Sequence, residues 1–82
     1  MIDVLYFAWL RERIGAPKER VETSAETVAD LIEELKDRSE AHALAFSDVK
    51  SVRAAIDQDL VEMSAKIGNA REVAFFPPMT GG

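Results

Sequence analysis

Apolar residues change their spacing along this chain, and each change marks an element. From Ile2 to Trp9 the sequence runs IDVLYFAW, apolar but for Asp3, and its β-branched and aromatic residues predict a strand. Alternation puts Ile2, Val4 and Tyr6 on one face and Leu5, Phe7 and Trp9 on the other. Both faces are apolar, so one of them is free to serve something other than the domain's own core. LRERIG then predicts a short helical turn stopped by Gly15, and GAP marks a bend. KERVETS is a weak strand whose strong apolar residue is Val21.

In ETVADLIEELKDRS the period lengthens. Val28, Leu31, Ile32 and Leu35 fall at i, i+3, i+4 and i+7, one stripe of a helix. Thr27 with Asp30 resembles a capping box, which would satisfy free N–H groups of the first turn. No second long helix is present to receive the stripe, so it must lie on a sheet. EAHALAFSD reads as a second short helix or an irregular connector. Beyond it KSVRAAID predicts a strand, DQD a turn, LVEM a short strand, AKIGNAR a loop and EVAFF a last strand. Pro77 and Pro78 end that strand because neither can donate a ladder hydrogen bond. The order is strand, strand, helix, then two or three strands: an α+β sheet with one main helix packed across it. Residues 1–76 form one domain and residues 77–82 an extended tail.

With 82 residues, 48% of them hydrophobic and 30% charged, the chain has the composition of one globular domain. Its formal net charge of -5 repels phosphate backbones, which argues against nucleic acid as a partner. Cysteine is absent, which excludes disulfides, thiolate metal sites and thiol nucleophiles together. The opening residues lack a signal-peptide pattern, because Asp3 interrupts the apolar run and the positive charges follow it. No stretch approaches the length of a membrane span. A cytoplasmic protein is the expectation.

The usual signatures of chemistry fail in turn. There is no Gly-rich loop followed by Lys-Ser/Thr to cradle ATP phosphates. His42 is the single histidine, so no histidine-pair metal motif exists, and it reads as a surface or packing residue. Asp57 and Asp59 flank a turn, and turn chemistry accounts for both. Glu33, Glu34, Asp37 and Glu40 form the solvated side of the helix. No metal site is expected.

What the chain does own is a terminal carboxylate on a slender stem. Residues 77–82 would reach roughly 20 Å if extended. Pro77 and Pro78 stiffen the base and direct the stem away from the sheet. Gly81 and Gly82 carry no Cβ, so the tip can thread a channel too narrow for any side chain. A carboxylate becomes reactive once converted to a mixed anhydride, for example with AMP. Without an ATP site here, another protein would have to perform that step. The pattern is that of a carrier.

VLYFAWLRERIG, the TVADLIEEL helix, AAIDQDLV and the closing EVAFFPPMTGG together resemble the small subunits of molybdopterin synthase, over nearly the whole chain. The most specific part is Val73 to Pro78 followed by Gly81-Gly82; the Phe-Ala opening with Arg11, Glu12 and Gly15 is a second anchor. The resemblance implies a ubiquitin-like β-grasp fold with a mixed sheet of four to five strands. It implies that an E1-like adenylating enzyme uses ATP to activate Gly82, which then becomes a thiocarboxylate, with Gly81 keeping the tail slim. The loaded tail would enter the active site of the large synthase subunit, in a heterotetramer, and give its sulfur to cyclic pyranopterin monophosphate. The family's docking surface maps onto Phe7, Leu60 and Phe76, with Arg11 as a nearby polar contact, and the tail adds Pro77, Pro78, Met79 and Thr80. No intrinsically bound cofactor is implied.

Some positions depart from that family. Asp57 stands where Asn is common, and GNARE replaces an acidic loop before the last strand, which bears on turn geometry more than on function. Two other readings share the tail chemistry up to activation: a thiamine-pathway sulfur carrier, and a ubiquitin-like modifier that joins Gly82 to a lysine. The AFFPP ending and the length favour the molybdopterin version.

Overall fold

The computed structural model describes residues 1–78. Its elements are β1 (Ile2–Tyr6), α1 (Ala8–Ile14), β2 (Lys18–Val21), α2 (Val28–Lys36), α3 (Glu40–Ala45), β3 (Arg53–Ile56), β4 (Asp59–Val61) and β5 (Glu72–Phe76). A 3-10 turn at Val49–Ser51 precedes β3. The strands make one five-stranded mixed sheet in the order β2-β1-β5-β3-β4. β1 and β5 run parallel, and the other pairs are antiparallel. The most apolar strands therefore lie inside, while the charged β2 and the short β4 form the edges, which discourages edge-to-edge association.

The first strand is shorter than its apolar run. It ends at Tyr6; Phe7 stays extended, with φ -123° and ψ 156°, as the N-cap of α1. Ala8 then takes φ 54° and turns the chain into the helix. The reason is Leu10, which is fully buried in the same core as Tyr6 and can reach it only if the chain folds back over the sheet. Trp9 accordingly lies on α1 and not on the second face of a strand, and the Arg13 guanidinium lies 5.0 Å from its ring. Gly15 closes the helix at φ 90°, its N–H donating to the Arg11 carbonyl at 2.8 Å. Likewise β4 stops at Val61, because the Ala65 N–H closes a turn on the Glu62 carbonyl.

All four residues of the predicted stripe, Val28, Leu31, Ile32 and Leu35, are fully or almost fully buried. The Thr27 hydroxyl accepts from the Asp30 N–H at 3.2 Å and caps that helix. The stripe shares one buried core with Ile2, Val4 and Tyr6 of β1, Val73 and Phe75 of β5 and Ala54 of β3. EAHALA forms a helix, α3, capped by Ser39. Phe46 at its end meets Phe75 edge-on, with ring centroids 5.1 Å apart.

His42 is 6% exposed and held at both ring nitrogens: Ser39 Oγ lies 2.7 Å from Nδ1, and Glu19 Oε1 lies 2.6 Å from Nε2. The Tyr6 hydroxyl donates to the same Glu19 oxygen at 2.8 Å, and Arg38 approaches the other at 3.4 Å. These contacts tie α3 to the edge strand β2. Burial pushes the Glu19 carboxyl up, but the hydrogen bonds from His42 and Tyr6, with the attraction of His42 and Arg38, outweigh it and hold Glu19 below its usual range.

The β3–β4 connection is a two-residue loop in which Asp57 has φ 47° and Gln58 φ 76°, the left-handed pair that Asn-Gly adopts most easily. Asp57 suits the place for a second reason. Its Oδ1 accepts the N–H groups of Arg71 and Glu72, each at 3.0 Å, and its own N–H donates to the Glu72 carbonyl. The departing GNARE loop is thus pinned by its backbone, whatever side chain Arg71 carries.

Two outcomes test this account. Gln58→Gly relieves a left-handed side chain and should raise stability by about 0.5–1 kcal/mol in urea denaturation. A carboxyl depressed by folding contributes stability above its unfolded pKa and loses it as pH falls through the folded value. Wild type should therefore lose stability below about pH 4 more steeply than Glu19→Gln, read as the slope of unfolding free energy against pH.

Candidate functional site

The core lies on one side of the sheet, so strand residues of the opposite parity have no helix over them. Across that open face the register sets a row: Leu5 of β1 beside Ala74 of β5, Ala74 beside Ala55 of β3, and Ala55 beside Leu60 of β4. Lys18 of β2 continues it past Leu5. One step toward the C-terminal end of β5, Phe76 pairs with Arg53. Phe7, extended and one residue beyond the Tyr6–Phe75 pair, points the opposite way from Tyr6 and joins the same face.

Leu60 is 71% exposed and Phe7 45%, far more than apolar side chains of a packed domain require. Ala55 and Ala74, between larger neighbours, end at their Cβ atoms and are almost fully covered, so they form a low floor at the centre of the row. A broad, open apolar face suits another protein better than a small molecule, which needs an enclosing pocket. Beside it, a groove of about 860 Å³ follows β3 and β4, with Arg53, Leu60 and Met63 among its walls.

The structure thus brings Phe7, Leu60 and Phe76 together on one face. Pro77 and Pro78 follow Phe76 directly and are half-buried. Arg11 is exposed on α1, one helical turn past Phe7. Met79, Thr80, Gly81 and Gly82, the tip of the expected tail, lie outside the described residues. Among the described residues no cluster of His, Asp and Glu could hold a metal ion. The buried Tyr6–Glu19–His42 group is engaged within the fold, and among the described residues every buried side-chain polar atom has a partner. No helix there is long and apolar enough to cross a membrane.

Sequence reasoning missed Ala55 and Ala74 as parts of the platform. A partial signal was available, since Ala is depleted in strands and both RAAI and EVAFF carry it, but that the two meet is a matter of register.

Comparison with known proteins bears on this face and its tail. The residue pattern of the ThiS family matches residues 4–82. The molybdopterin synthase sulfur carrier subunit of Escherichia coli (strain K12) is 42% identical over 82 residues, covering 100% of each chain. That of Haemophilus influenzae is 38% identical over the same span, again with 100% of each covered. The crystal structure of SAMP1 from Haloferax volcanii matches with a TM-score of 0.73 at 23% identity, over 99% of this chain and 98% of that one. The fold is a ubiquitin-like β-grasp.

An exposed platform residue should matter little to folding. Leu60→Ser is expected to change unfolding free energy by less than about 0.5 kcal/mol, whereas Leu31→Ala in the core should cost about 2–5 kcal/mol, both read by urea denaturation.

Proposed function

The chain belongs to the ThiS family, and on that footing we propose that it is the sulfur-carrier subunit of a molybdopterin synthase. The observation that carries the reading is the family match, which runs from the first strand through Gly82. The open face, with Phe76 and Pro77 leading from it into the tail, supports the reading.

The Gly82 carboxylate attacks the α-phosphorus of ATP on an E1-like adenylating enzyme, releasing pyrophosphate. Hydrosulfide displaces AMP from the acyl carbon and loses its proton, leaving a thiocarboxylate. The large synthase subunit then receives the tail in its catalytic pocket, where Gly81 lets the chain pass. The terminal sulfur attacks a side-chain carbon of cyclic pyranopterin monophosphate and displaces an oxygen from that carbon, and water cleaves the acyl–sulfur bond, leaving sulfur on the pterin and restoring the carboxylate. Two such transfers build the dithiolene. ATP and pterin stay on the partners, and the carrier contributes the tail and the docking face. The assembly is a heterotetramer built on a dimer of large subunits, working in the cytoplasm.

Magnitudes divide the labour between face and tail. Phe7, Leu60 and Phe76 are already partly covered, so burying the rest of them gains at most roughly 5–9 kcal/mol, the sum for full burial at about 1.5–3 each. Association costs an estimated 4–15 kcal/mol before any surplus appears. The inserted tail therefore supplies part of the affinity.

The test is intact mass after incubation with ATP, an adenylating enzyme of this class and a sulfide source. Exchange of one oxygen for sulfur is expected in the full chain and not in the chain lacking Gly82. No exchange, while a known sulfur carrier reacts alongside, would overturn the reading. Deleting Met79 to Gly82 should also weaken binding to the large subunit, and unchanged affinity would remove the tail's share.

A further inference from the structure

Arg53 stands in the part of the open face from which the tail departs. It pairs across the strands with Phe76, precedes Ala55 by two residues on the same strand and is exposed. Among the described residues it makes no ion pair, although Glu62 lines the same groove. Lys50 lines that groove as well, beside Leu60 and Met63. Two cations thus flank an apolar recess in a chain whose net charge is -5.

A protein laid over Leu60 and Phe76 removes water from Arg53 too. An ionised group covered without a counter-charge opposes association strongly. The guanidinium fork matches a carboxylate in two parallel hydrogen bonds, and the apolar walls of Leu60 and Met63 suit the stem of an acidic side chain. We infer that Arg53 specifies the partner: the surface of the large synthase subunit that covers this face carries an Asp or Glu side chain, which seats in the β3–β4 groove against Arg53. This inference rests on the open face being the docking surface. The groove is continuous with that face through Arg53 and Leu60, and its charge is complementary to an acidic group. A cationic or wholly apolar surface laid over the same platform would leave Arg53 covered and unpaired, so the residue rejects wrong partners as well as holding the right one.

The experiment measures affinity of the full chain for the large subunit from the same organism, by titration calorimetry at low and high salt. Arg53 is exposed, and circular dichroism verifies that each variant is folded. Arg53→Glu should weaken binding about a hundredfold or more, because it sets two carboxylates face to face. Arg53→Ala should weaken it about tenfold and reduce its salt dependence, with Arg53→Lys recovering part of the loss. If Arg53→Glu binds as wild type while Leu60→Asp abolishes binding, the platform is the interface and the inference about Arg53 is overturned. If Leu60→Asp also leaves affinity unchanged, the docking reading falls, and the inference with it.

Discussion

The parallel pairing of β1 with β5 is the constraint from which the rest of the molecule follows. Val4 lies beside Val73 and Tyr6 beside Phe75, so residues almost seventy positions apart in sequence form the middle of the core. Because the two strands point the same way, Phe7 and Phe76 emerge at the same end of the sheet. The chain between them must supply both flanks, β2 against β1 and the β3–β4 hairpin against β5. It must also supply the helices that close one face. With the helices committed to that side, the other remains a platform bordered by Phe7 and Phe76.

Much of this was legible in the residues, because the strongest signals were periodic. The four-residue stripe of α2 needed a sheet, and it received one. The prolines after Phe76 fixed the end of β5. The end of β1 was not legible, because Phe7, Ala8 and Trp9 continue a strand-like composition past the point where burial of Leu10 bends the chain. Tertiary packing there overrides local preference. The platform was half legible: alternation placed Leu5 and Phe7 on a spare face, but Leu60 and Phe76 entered through the family resemblance. That Ala55 and Ala74 bridge them depends on cross-strand register, which no local window contains.

The buried polar group of Tyr6, Glu19 and His42 shows the same limit from another side. A lone histidine read in sequence has no visible partner. In the fold it meets a glutamate 23 positions earlier, on an edge strand with little apolar weight of its own. Hydrogen bonds thus secure β2 where hydrophobic burial is thin, with Val21 as its buried apolar residue.

The central place of β5 also bears on how the protein is made. Before residues 72–76 emerge from the ribosome, β1 has no partner on its inner side and the β3–β4 hairpin has nothing to join. A nascent chain holds two incomplete halves, and the last strand unites them. Residues 77–82 follow that strand in the chain, so any translation product long enough to include them includes every strand of the sheet. Synthesis order alone therefore ensures that a prematurely ended chain, unable to complete its core, has no Gly81-Gly82 to offer a partner.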